Sequence, residues 1–79
     1  MKYLSQGMES RRKVHLLLSL TKITSCNITS AIDDHLIRNF SIGDAALVNG
    51  CKQANLTVAI NTLNLVAEIV EKINELSYK

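Results

Sequence analysis

Three side chains spaced one helical turn apart carry the first chemical signal. Gln53, Thr57 and Asn61 stand at i, i+4 and i+8. On a helix that spacing sets them along one line. Side-chain amides and hydroxyls of this length suit base edges in a DNA groove. Asn64 extends the line, and then come Glu68, Glu71 and Glu75. Those carboxylates repel phosphate, so a nucleic-acid contact here is confined to the first turns. Lys52 just before the strip, with Arg11, Arg12 and Arg38, supplies cations for phosphate oxygens. The same strip also fits a plain solvated face, and Arg11-Arg12-Lys13 a solvated helix start.

The other reactive side chains point to no reaction. His15 and His35 fall on mostly apolar helical faces and read as core-edge residues. Cys26 and Cys51 are too far apart for a metal-ligand pair and too few for a disulfide framework; they read as small buried hydrophobes. Asp33-Asp34 reads as a solvated pair, with no acid/base partner or nucleophile placed beside it. There is no glycine-rich phosphate loop, zinc spacing or nucleophile elbow. No enzyme, metal or cofactor is expected.

The elements that must position the polar strip are helices. The chain has 79 residues, 47% of them hydrophobic, with three Gly and no Pro, which disfavours a turn-rich β-sandwich. One small domain is expected over residues 9–79, after a flexible tail at 1–8. Net charge is +2, divided as +3 over residues 1–40 and −1 over residues 41–79. That permits nucleic-acid binding without demanding it. No apolar run approaches the ~20 residues of a membrane span. No apolar segment follows Lys2 as a secretory signal requires. A reducing cytoplasm is the default setting.

Helical spacing predicts four helices. The first runs from Glu9 to about Thr21, capped by Ser10 or Glu9. The second runs from about Asn27 to Phe40, capped by Ser25 or Asn27. A short third helix follows Ser41, whose hydroxyl can accept from the amide of Asp44, and Asn49-Gly50 ends it. The last and longest covers Gln53 to Leu76. It has two apolar faces: Leu56, Ile60, Leu63, Ala67 and Val70 on one, Val58, Leu65, Ile69 and Leu76 opposite, with Ile73 along one flank. A small domain hides one face in its own core. The second is expected to meet another copy of the chain.

Residues 41–61 have the layout of a helix-turn-helix. Ala46 is small enough for a steep helix crossing. Gly50, four positions later, allows the positive φ of a tight turn. Cys51 is the apolar residue after that turn, and Leu56 anchors the first turn of the next helix. An ordinary helical hairpin with a glycine turn fits the same layout.

From about Arg12 to Leu76 the pattern resembles the PapB-like family of adhesin-biosynthesis (fimbrial operon) transcription regulators from enteric bacteria. Val14-His15-Leu16-Leu17-Leu18 looks like that family's first helix, and Ala31-Ile32-Asp33-Asp34-His35-Leu36-Ile37 like its second. Ser41 matches its Ser before the helix-turn-helix. Leu56-Thr57 falls where the family has Phe-Ser, and Ile60, Leu63 and Val66 continue its long last helix. The resemblance implies a small all-α DNA-binding regulator that forms dimers or larger homo-oligomers on AT-rich double-stranded DNA, reading groove shape more than base edges. Ile42 and Gly43 depart from the family's basic residues after the Ser, and Thr62 from a basic residue early in the last helix. Fewer phosphate contacts lower affinity and flatten its salt dependence. The alternative is a helical interaction module that pairs with a related regulator and does not itself bind DNA.

Overall fold

Three serines open three helices. The hydroxyl of Ser10 accepts the amide of Lys13 at 3.2 Å, that of Ser25 the amide of Ile28 at 3.5 Å, and that of Ser41 the amide of Asp44 at 3.1 Å. Each satisfies one of the amides a helix start leaves without an internal partner. The helices they open are α1 (Arg11–Leu18), α2 (Cys26–Leu36) and α3 (Ile42–Asn49); α4 (Gln53–Ser77) follows after Gly50. The computed structural model describes Leu4 and residues 6–77, the side chain of Ser77 excepted. The fold is all-α, as the spacing predicts, and no strand occurs among the described residues.

Two helices stop earlier than their apolar spacing suggests, each for a local reason. After α1, the amides of Leu20 and Thr21 turn to carbonyls three residues back, Leu17 and Leu18. The Thr21 hydroxyl donates to Leu18 O at 2.8 Å and accepts the amide of Ile23. A β-branched polar side chain thus offers the backbone a non-helical partner. After α2, Asn39 takes φ 69°, a left-handed conformation that ends a helix and that Asn tolerates better than most residues.

The core lies where α4 meets the other three helices. Val14 and Leu17 of α1, Ala31, Ile32 and Leu36 of α2, and Ala45 and Ala46 of α3 pack against Leu56, Ala59, Ile60, Leu63 and Ala67 of α4. Large aliphatic side chains hidden this fully are worth about 1.5–3 kcal/mol each. Val70, expected on this face, is half-buried at its end. Beyond it, residues 71–76 are exposed. The molecule measures 44 × 23 × 19 Å, and its long dimension is close to that of a 25-residue helix, about 37 Å.

Of the loose tail expected at 1–8, Leu4 and residues 6–8 are described and are held in place; residues 1–3 and 5 lie outside the described residues. Leu4 is fully buried in the core cluster. The amide of Gly7 donates to His35 O and that of Glu9 to Leu36 O, both at 3.1 Å, and Gln6 Nε2 donates to Asn39 O. These bonds strap the segment across the end of α2. Gly7 is required there: its φ is +69°, and a Cβ would stand 2.5 Å from Cβ of Asn39.

Candidate nucleic-acid interface

The turn between α3 and α4 follows from its residues. Gly50 sits at φ 67°, ψ 28°, the left-handed cap of α3. Its amide turns back to Leu47 O, and that of Cys51 to Ala46 O at 3.0 Å. Ala46 is buried against α4, and Leu56 fills the core from the first turn of α4. Both fall where a helix-turn-helix needs a small residue and an anchor. Cys51 is half-buried, less enclosed than expected.

The polar strip is presented unevenly. Gln53 and Asn61 are exposed. Gly43 at the start of α3 leaves room beside the Gln53 side chain, whose Oε1 would lie 3.4 Å from an added Cβ. Thr57 between them is half-buried, and its hydroxyl donates back to Gln53 O at 3.0 Å. Thr57 therefore keeps only acceptor capacity for a ligand. Lys52 is exposed at the head of the strip.

The cations expected on phosphates do not share one face. Arg11 and Arg38 line one polar cleft of about 330 Å³, with Asp33, Asp34 and Asn49 between them. Arg12 lines a different groove of about 400 Å³ between α1 and the far end of α4, floored by Leu16, Leu17, Ala67 and Val70. Arg38 is not wholly available: its Nη1 stands 3.7 Å from Asp34 Oδ1. Lys13 is held by Glu9 at 2.9 Å.

Asp33 and Asp34 are not the solvated pair their positions suggest. The two side chains are only 23% and 13% exposed. His15 Nε2 lies 3.0 and 3.2 Å from the two carboxylate oxygens of Asp33, joining α1 to α2. Asn49 Nδ2 donates to Asp34 Oδ2 and to Ala45 O, both at 2.8 Å, joining α3 to α2. These partners are 18 and 15 positions away in sequence, so no local spacing announces them. His35 is buried, as its apolar face suggests, and Nδ1 donates to Phe40 O at 2.7 Å. Among the described residues, no group of three His, Cys, Asp or Glu side chains could hold a metal ion. Cys26, expected as a small buried hydrophobe, is exposed, and both thiols are free.

The second apolar face of α4 is in the open. Val58, Leu65, Ile69, Ile73 and Leu76 are 56–72% exposed. Leu47 and Val48, in the last turn of α3, are exposed as well. No helix among the described residues is long and apolar enough to cross a membrane.

No protein-family model matches the chain, and no curated protein matches it by sequence. Its structure is similar to the crystal structure of FocB from E. coli, with a TM-score of 0.84. The match covers 94% of this chain and 84% of that one, at 20% sequence identity. At that identity the likeness is one of fold.

Proposed function

We propose that this chain is a bacterial transcription regulator of fimbrial or adhesin genes. It binds AT-rich double-stranded DNA through α3, the Gly50 turn and α4, as a homodimer or larger homo-oligomer in the cytoplasm. The observation that carries this reading is the α3–turn–α4 unit itself. Its crossing is small at Ala46, its turn is left-handed at Gly50, and its second helix leads with exposed Gln53 and Asn61. The residue pattern resembling the PapB-like regulators and the fold shared with FocB support the same reading.

Gln53 and Asn61 face the groove, with Thr57 as an acceptor beside them. Lys52 and Arg11 meet phosphates, and Arg38 joins them only on leaving Asp34. Arg12, in the other groove, is not counted among them. The exposed stripe from Val58 to Leu76 is the contact between copies: apolar residues aligned along one helix face mark an interaction surface. Two copies carry +4 from +2 each, a weak field suited to modest affinity.

A gel shift with AT-rich duplex at two salt concentrations tests the reading. Binding at low salt that weakens as salt rises is expected. Absence of binding at low salt, with a firm dimer in light scattering, would overturn it. That result would favour a helical module that pairs with a related regulator. The neutral residues Ile42, Gly43 and Thr62 favour this second reading, because the resembled family is basic there.

A further inference from the structure

We propose that Asp34 is the positioning residue of the interface, one carboxylate oxygen fixing the end of α3 through Asn49 and the other withholding Arg38 from phosphate. The inference rests on the DNA-binding reading above.

The first half comes from what holds the last turn of α3. Leu47 and Val48 there are 81% and 65% exposed, so within this turn the inward apolar packing is that of the small Ala46 side chain, 3% exposed. A Cβ at Gly50 would touch nothing within 4 Å, so the turn into α4 is not wedged by its neighbours. Polar bonds add to the packing of Ala46 and Cys51. The two hydrogens of the Asn49 amide go to Ala45 O in its own helix and to Asp34 Oδ2 in α2. Asn49 thus couples the helix end to α2, and the acceptor is a carboxylate only 13% exposed. Hydrogen bonds to such an ionised acceptor are the stronger kind. Gln53, at the head of the polar strip, begins four residues after Asn49 in the chain. Any shift of that anchor is carried to the strip.

The second half comes from the other oxygen. Asp34 Oδ1 faces Arg38, four residues on and just past the end of α2, at 3.7 Å, with the Arg38 side chain 64% exposed. A pair this open is weak and screened by salt, but its charge still opposes a phosphate at the same guanidinium. Arg11 shares the cleft with Arg38 and belongs to α1, the helix that His15 ties to Asp33. Asp34 is therefore set to keep the DNA-facing charge low while the turn stays fixed.

The substitution Asp34→Asn separates the two roles, since its amide oxygen still accepts from Asn49 while the negative charge facing Arg38 is gone. In D34N, Arg38 takes up one phosphate. The slope of log affinity against log salt steepens by about 0.9, and low-salt affinity rises about twofold to fivefold. Adding Arg38→Ala to D34N restores the wild-type slope. Arg38→Ala alone leaves the slope unchanged, which keeps the proposal testable if D34N folds poorly. An unchanged slope in folded D34N, or a slope shallower by one phosphate in R38A alone, overturns the withholding role.

The anchoring role is read without DNA, from the exchange of the Asn49 side-chain amide by NMR. The proton given to Asp34 should be protected in the wild type and in D34N and exchange rapidly in D34A, while the bond to Ala45 O is left in all three. Free exchange in the wild type overturns that role whatever the DNA result. If the wild type binds no DNA at low salt, the DNA-binding reading and the withholding role fall together, and amide exchange alone decides the anchor.

Discussion

The two apolar faces of α4 carry the same kinds of residue and meet opposite fates. Leu63 is fully buried and Leu65, two residues on, is 59% exposed. Ile60 is 1% exposed and Ile69 is 56% exposed. Residue type does not distinguish them; the supply of neighbours does. Helices α1, α2 and α3 are 8, 11 and 8 residues long. That is enough to cover one side of a 25-residue helix and not both. The lesson is that hydropathy fixes what a face requires, while chain length fixes whether the same chain can meet it.

The comparison breaks most plainly at the matched leucines. Leu63→Ala should lose about 2–5 kcal/mol of folding stability in denaturant titration, with Leu65→Ala far milder at protein concentrations low enough to dissociate any dimer. Equal losses would mean that the second face is not free in the monomer. A smaller effect separates the polar strip from both apolar faces. Asn61→Ala should cost about 1–3 kcal/mol of DNA affinity where the amide holds a base edge. Its folding stability and salt slope should stay unchanged, because no charge or core contact is lost; fluorescence anisotropy at several salt concentrations measures all but the folding term.

Next in size is the cap. Ser41→Ala removes the acceptor for the Asp44 amide and should lower stability by about 1 kcal/mol, seen as a modest drop in thermal midpoint. The smallest expected change in monomer stability, within about 0.5 kcal/mol, belongs to Leu65→Glu. That variant should nonetheless sediment as a monomer, and a dimer unaltered by it would remove Leu65 from the contact between copies.

What was readable in the sequence was whatever depends on near neighbours. Ser41 announces a helix start and Gly50 a helix end, and of the paired candidates Ser10 or Glu9 and Ser25 or Asn27 the serines hold the caps, because capping is settled within four residues. The two faces of α4 were readable for the same reason, since periodicity is a property of one segment. Spacing alone proposes Gln53 and Asn61 for a groove, and the structure leaves both exposed. Spacing proposes Thr57 too, but it does not announce the bond to the Gln53 carbonyl. The pairing of Asp33 with His15 and of Asp34 with Asn49 was hidden, because it depends on how three helices meet. So was the split of Arg11 from Arg12: adjacent residues on a helix point about 100° apart, and only the packing of α1 says which cleft each enters. Leu4 gave no signal at all, being a lone aliphatic residue outside any periodic run.

The strap formed by Leu4 and Gln6 to Glu9 has a consequence for the order of events during synthesis. Gln6 bonds to a residue 33 positions later, and Gly7 and Glu9 bond to the last turn of α2. A nascent chain carries Leu4 out into water well before its binding place exists. Closing so long a loop is entropically costly compared with forming any helix turn. The strap, although made before α2, therefore has its hydrogen-bond partners only once His35, Leu36 and the left-handed Asn39 are in place, and its settling is expected to follow theirs.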